Sequence, residues 1–301
     1  MDLNVVWFLL LGALLIGYAI LDGFDLGVGA LHLFSKGDEE RRLMLNSIGP
    51  VWDGNEVWLV TAGGALFAAF PHAYATAFSA FYTPFMILLF MLIFRAVAIE
   101  FRSKEKMKWW RKLWDGAFSF SSIVASVLFG VAVGNLVVGL PIGADMEFSG
   151  NLFDLLKPYA LLVGLFNLSM FVMHGAIYIY LKTEGELQAR AKGWIIHAVG
   201  VFIVMYVFTT IATLVRVPSM IDNFANFPLA WGLVVINVLA IANIPRCIYF
   251  NKPGQAFISS ATTIAALILL FGIGVFPNMI ISSAGEALNL TIYNAASSQK
   301  T

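Results

Sequence analysis

Eight long apolar stretches dominate this chain, and a chain so built must pair every backbone N–H and C=O internally, within a membrane. A spanning helix needs about 20 predominantly apolar residues, roughly 30 Å at 1.5 Å per residue. The stretches run from Val5 to Leu21, Val51 to Phe70, Thr76 to Ile99, Gly116 to Leu140, Pro158 to Leu181, Trp194 to Val215, Phe227 to Pro245 and Ala256 to Ile281. The expected fold is an all-α polytopic membrane protein of about eight transmembrane helices. Hydrophobic residues make up 60% of the 301 and charged residues only 12%, which excludes a pair of ordinary soluble domains. The 18 Lys+Arg balance 18 Asp+Glu, so no basic excess points to nucleic acid. A single cysteine, Cys247, excludes an internal disulfide framework and a cysteine-held zinc or iron–sulfur centre. The first stretch has no positive n-region and no small-residue cleavage site, so it reads as a retained helix and not a signal peptide.

Lys and Arg are retained on the cytoplasmic side of membrane proteins. All but Lys157, Arg216 and Lys300 of the 18 fall in the loops after the first, third, fifth and seventh stretches or, for Arg95, just before such a loop. Both termini are therefore expected outside, and the basic run from Arg95 to Lys112 reads as a topology anchor on the inner surface. A weak internal echo links Leu14-Leu15-Ile16-Gly17 and Gly29-Ala30 to Leu161-Leu162-Val163-Gly164 and Gly175-Ala176, and Phe129-Gly130 to Phe271-Gly272. It implies two parallel four-helix bundles, 1–140 carrying the acids and 141–301 following it. Gly63-Gly64-Ala65 and Gly130 with Gly134 read as close helix approaches.

A charge near a helix centre costs at least roughly 2.5–3.5 kcal/mol in a bilayer, so ionisable residues in or beside the spans carry the information. Asp22 and Asp25 close the first stretch, Asp53 and Glu56 open the second, Arg95 and Glu100 close the third, and Asp115 opens the fourth. Under the expected topology all seven lie at the cytoplasmic ends of the first four helices. Asp22 with Asp25, and Asp53 with Glu56, are three apart and share a helix face. Two carboxylates so placed resist simultaneous ionisation and can hold a proton between them, which reads as a cytoplasmic proton inlet. Acids at helix N-termini also complement the helix dipole. That plainer reading is preferred for Asp115, whereas the polar and aromatic density of Pro50-Val51-Trp52-Asp53-Gly54-Asn55-Glu56-Val57-Trp58 favours function at Asp53. Arg95 either pairs with a carboxylate or snorkels to the headgroups.

Met170, Met173 and His174 share one stretch and raise the question of haem ligation. His32 and His72 fall in loops and His197 starts a helix, so only His174 is well inside a span, where a cross-helix hydrogen bond is the favoured role. No haem ligand, metal ligand or catalytic residue is assigned, and no nucleotide-binding motif is present.

At these residues the sequence resembles subunit II of the cytochrome bd quinol oxidases. The matching segments are Asp22-Gly23-Phe24-Asp25-Leu26-Gly27-Val28-Gly29, Glu39 to Ile48, Trp52 to Trp58 continuing through Thr61 to Ala69, Arg95 with Phe101-Arg102-Ser103-Lys104, Trp114-Asp115, and Phe129 to Leu136. The resemblance implies a bacterial inner-membrane respiratory complex that oxidises quinol and reduces dioxygen to water, with haem b and haem d held by a larger subunit I. It implies an obligate heterodimer in which this chain binds no haem, leaves room for a small accessory subunit, and places lipid and quinone around it. Family proton-path acids carry over onto Asp22, Asp53 and Glu100, supported by Asp25, Trp52, Glu56, Arg95 and Asp115. Family members continue past a segment like Asn294 to Gln299 into a ninth helix, which is expected to be absent here. Two rivals stand beside this reading: a free-standing proton-coupled secondary transporter using Asp22, Asp53 and Arg95, and a scaffold whose acids only cap helices.

Overall fold

The protein is represented by a computed structural model that describes residues 2–298. Among them the α-helices are α1 (Leu3–Leu31), α2 (Gly37–Ile48), α3 (Trp52–Ala69), α4 (Pro71–Ala80), α5 (Tyr82–Phe101), α6 (Lys108–Val138), α7 (Pro158–Lys182), α8 (Gly185–Arg216), α9 (Asp222–Asn226), α10 (Ala230–Tyr249) and α11 (Pro253–Val275). A short antiparallel pair, β1 (Asn278–Ile280) and β2 (Leu290–Thr291), follows. Pro71, Pro158 and Pro253 stand at the first turns of α4, α7 and α11, where a missing N–H costs nothing and the fixed φ suits the helix. Asp2 caps α1 by accepting from the Asn4 N–H at 3.0 Å.

Seven helices are long and apolar enough to cross a membrane among the described residues: α1 with its short extension to Phe34, α5, α6, α7, α8, α10 and α11. The remaining expected span corresponds to α3, whose 18 residues include Asp53, Asn55 and Glu56. Two boundaries differ from expectation. α1 runs on to Leu31, so Asp22 and Asp25 lie inside a buried helix and do not close it. The third apolar stretch is divided between α4 and α5 at Phe81. Pro84 explains the break, because it cannot donate to the Ala80 carbonyl that a continuous helix would present.

α1 packs on α3, α6 and α7; α5 lies on α6, and α7 on α8 and α11, while α10 lies on α11. Within α7–α11 the pairs α7/α8, α7/α11 and α10/α11 correspond to α1/α3, α1/α6 and α5/α6, and the cross-packing of α6 on α7 has its counterpart in α1 on α11. One apolar core runs through both sets, joining Phe24, Leu26 and Val28 of α1 to Met173, Ile177, Phe202 and Ile264. α1 and α7 approach backbone to backbone, since a Cβ on Gly175 would lie 2.4 Å from the Gly27 carbonyl carbon. Gly130 and Gly134 behave likewise against α7, as expected of small residues at helix crossings. At Gly63 and Gly64 an added Cβ would meet nothing within 4 Å, so that face of α3 is open.

Polar links tie each end of the bundle. At one end Tyr178 donates to the Ser47 carbonyl at 2.8 Å, Arg190 pairs with Glu40 at 3.0 Å, and Lys192 donates to Asn251 at 2.6 Å. At the other, the Leu140 N–H donates to Ile281 at 2.9 Å, Thr76 to the Met146 carbonyl at 2.7 Å, and the Ser297 N–H to Ala69 at 2.9 Å. A second apolar core of Phe70, Leu140, Ile142, Leu155, Ile280 and Ile292 backs these bonds.

Candidate functional site

Gly23 and Gly27 press against Phe171 of α7, while Asp22 and Asp25 fall on the opposite side of α1, as 100° per residue requires. That side meets α3 and the C-terminal part of α5. Arg95 Nη2 donates to Asp22 Oδ1 at 2.5 Å and to Glu56 Oε1 at 2.5 Å. Asn55 Nδ2 donates to Asp25 Oδ2 at 2.8 Å and to the Leu21 carbonyl at 3.2 Å. Asp22, Asp25 and Arg95 are each at most 1% exposed, and the Glu56 side chain is 25% exposed. Asp22 and Glu56 thus share one guanidinium, and Asp25 lies beside them on Asn55. Asp22 Oδ2, Asp25 Oδ1, Arg95 Nε and Arg95 Nη1 make no hydrogen bond to other described residues. Arg95 turns inward to its carboxylates, so pairing and not snorkelling describes it.

A second network lies about 10 Å further along α1, the rise of seven residues. Asp115 accepts from Arg102 Nε at 2.5 Å and Arg41 Nη1 at 2.9 Å and is bonded to His32 Nε2 at 2.6 Å. Arg102 Nη2 and Arg111 Nη1 both reach Asp38, each at 2.7 Å. His32, Asp115 and Arg102 are buried. Asp115 is not an N-terminal helix acid: α6 begins at Lys108, two turns earlier, and the carboxylate is the hub of an ion cluster joining α1, α2 and the α5–α6 connection.

The seven charged positions therefore divide. Asp22, Asp25, Glu56 and Arg95 come together, Asp115 belongs to the second network, and Asp53 and Glu100 are exposed outside both. Asp53 sits in the first turn of α3 beside half-buried Trp52, and Glu100 is five residues past Arg95, on the far side of α5. Asn55, His32, Arg41, Asp38, Arg102 and Arg111 were not singled out by sequence reasoning. His174 is wholly buried, with Nδ1 bonded to Ser260 Oγ at 2.7 Å and Nε2 to the Ile20 carbonyl at 3.0 Å. It is a cross-helix strut linking α7, α11 and α1. His72 and His197 are exposed, the latter near the middle of α8 and not at its start. Among the described residues no group of three or more His, Cys, Asp and Glu side chains is arranged to hold a metal ion.

Fold and site together define a polytopic helical membrane protein that holds linked buried charges toward one end of its bundle. The profile of the cytochrome bd terminal oxidase subunit II family matches residues 3–301. Subunit 2 of the cytochrome bd-I ubiquinol oxidase of Escherichia coli K12 is 38% identical over 330 aligned residues, taking in 99% of this chain and 87% of that protein. Subunit 2 of the cytochrome bd ubiquinol oxidase of Bacillus subtilis 168 is 36% identical over 298, taking in 98% and 87%. The fold matches a chain in the structure of bd oxidase from Geobacillus thermodenitrificans with a TM-score of 0.80 at 18% identity, covering 99% of this chain and 90% of that one. The chain belongs to the cytochrome bd terminal oxidase subunit II family.

Proposed function

We propose that this chain serves a bd-type quinol oxidase as the integral companion of a haem-bearing subunit, stabilising that partner and shaping proton uptake from the cytoplasm. The observation that carries the proton role is a pair of buried carboxylates, Asp22 on Arg95 and Asp25 on Asn55, with the partly exposed Glu56 on the same guanidinium. One guanidinium cannot balance three ionised carboxylates in a medium where each unpaired charge costs several kcal/mol, so the set is balanced by retained protons. Glu56, the partly exposed member, is its opening, and the unpartnered oxygens of Asp22 and Asp25 are where water or a group of the partner would bond. Asp53 and Glu100, exposed near the same end, are the outer positions from which protons reach it.

The topology belongs to the same proposal. Arg95 near the end of α5 meets Asp22 toward the end of α1, so these two helices run the same way and α3 between them returns across the bilayer as an eighth span. With Lys and Arg inside, the N-terminus lies outside in a bacterial inner membrane. The matched packing of the two helix sets supports two parallel four-helix bundles, 1–140 and 141–301.

Haem b and haem d are assigned to the partner. Both nitrogens of the buried His174 are engaged, His32 is bound to Asp115, and the remaining histidines are exposed, so these residues do not fit an axial pair. A free-standing carrier is disfavoured by relatives that are named as oxidase subunits.

The test uses the whole complex. Asp53→Asn and Glu56→Gln should slow oxygen consumption several-fold while the haem spectrum and subunit content stay unchanged. Normal turnover in both removes the proton role, and loss of haem together with activity transfers these residues to assembly.

A further inference from the structure

Between Asp222 and Glu286 the chain carries only two charged residues, Arg246 and Lys252, and both are cations at the turn joining α10 to α11. Four other arginines at this end are matched by carboxylates of the chain itself, Arg41, Arg102 and Arg111 by Asp115 and Asp38, and Arg190 by Glu40, while Arg42 is exposed on α2. No such partner faces this turn among the described residues. A third cation is fastened to it, since Lys192 of α8 donates to Asn251 Oδ1 at 2.6 Å. The nearest acids in sequence, Glu184 and Glu186, are exposed at the start of α8, at least six residues from Lys192.

Arg246 and Lys192 are held in place by their side chains. Arg246 Nη1 donates to Asn243 Oδ1 at 3.0 Å and its guanidinium stands 5.7 Å from the Phe250 ring centroid, leaving its other N–H groups free for an anion. Asn251 takes a positive φ of 54° in a tight turn that the Lys252 N–H closes by donating to the Cys247 carbonyl at 2.8 Å. Tyr249 and Phe250 are 78% and 57% exposed, as befits aromatic rings at the headgroup level. Below them the surface is apolar, with Val235 and Leu239 of α10, Ile258 of α11 and Ile196 of α8 all exposed. α8 and α10 touch only sparingly.

We propose that this turn binds one anionic phospholipid, with the phosphate on Arg246, Lys252 and Lys192 and the acyl chains along α10. Charge complementarity identifies the occupant: three cations without carboxylate partners at a membrane surface match a phosphodiester, and the apolar faces beneath match its chains. The lysines of the α5–α6 connection lie in an exposed polar segment and attract such a surface without a defined seat.

The experiment counts lipids on the intact complex purified from membranes rich in phosphatidylglycerol and cardiolipin, by native mass spectrometry. The parent should retain an anionic lipid. Arg246→Gln with Lys252→Gln should weaken that retention about 30-fold, roughly fivefold for each surface cation, and Lys104→Gln with Lys106→Gln should leave it unchanged. Equal retention in the hairpin variant and the parent overturns the proposal, as does equal loss in both variants, which would mean diffuse attraction only. Displacement of the lipid by millimolar inorganic phosphate would mark a free-anion site and also overturn it. Should the hairpin variant fail to accumulate, a photoreactive phosphatidylglycerol crosslinked to the unaltered complex decides. Adducts on peptides of the α10–α11 turn support the site, and adducts confined to other segments overturn it.

Discussion

Replacing Arg95 with Gln removes the cation that Asp22 and Glu56 share while nearly preserving the shape of the side chain. Asp22 and Asp25 are 0% and 1% exposed, so neither can turn to water when its counter-charge is gone. Removing one partner of a buried ion pair costs about 3–5 kcal/mol, most of it the stranded charge. At roughly 2 °C per kcal/mol for a long chain, the complex should melt about 6–10 °C lower. Asp22→Asn should cost less, because Arg95 keeps Glu56 at 2.5 Å and the amide still accepts. The pair Asp22→Asn with Arg95→Gln should recover part of the loss, since it strands one buried carboxylate fewer than Arg95→Gln alone. Thermal unfolding of the purified complex, followed by tryptophan fluorescence alongside haem content, measures all three. An Arg95→Gln complex that melts within 1 °C of the parent, or a double variant showing the full sum of the single losses, refutes the reasoning.

Asp115→Asn should destabilise by about 3 kcal/mol, because buried Arg102 then keeps only the exposed Asp38 as counter-ion, whereas Arg111→Gln on the exposed half of that network should cost under about 1 kcal/mol. Both are read by thermal unfolding. Gly175→Val should abolish accumulation or cost about 3 kcal/mol or more, since its Cβ would collide with the Gly27 backbone, and Gly200→Ala, with nothing within 4 Å, should be neutral. Membrane yield of the complex compares the two. Ser260→Ala should cost about 1 kcal/mol by removing the partner of His174 Nδ1, again read by melting.

The spans were legible because hydropathy over 20 residues is a local property, and seven of the eight stretches correspond to helices long and apolar enough to cross. α3 escapes that measure because it spends three early positions on Asp53, Asn55 and Glu56. The pairing of Arg95 was foreseeable in kind, since an arginine buried in an apolar helix must find a carboxylate, but its choice of Asp22 and Glu56 depends on how α1, α3 and α5 rotate about their axes. The same rotation separates Asp53 from Glu56, three residues apart in sequence yet one exposed and one turned to the network. His32 is hidden for another reason: the apolar run ends at Leu21 and so places it in a loop, whereas α1 continues to Leu31. Once the helix persists through the glycines that face α7, the imidazole is carried to Asp115.

The bonds that tie both ends of the bundle restrict how it can move. A carrier that alternates between inward and outward openings must let one half rock against the other, parting the walls first at one membrane surface and then at the other. Here such rocking would strip Tyr178 from Ser47 and Arg190 from Glu40 on one surface, or unzip Leu140 from Ile281 on the other, around a central α1–α7 crossing too tight to slide. A body so clamped is suited to standing still as the fixed wall beside a working neighbour.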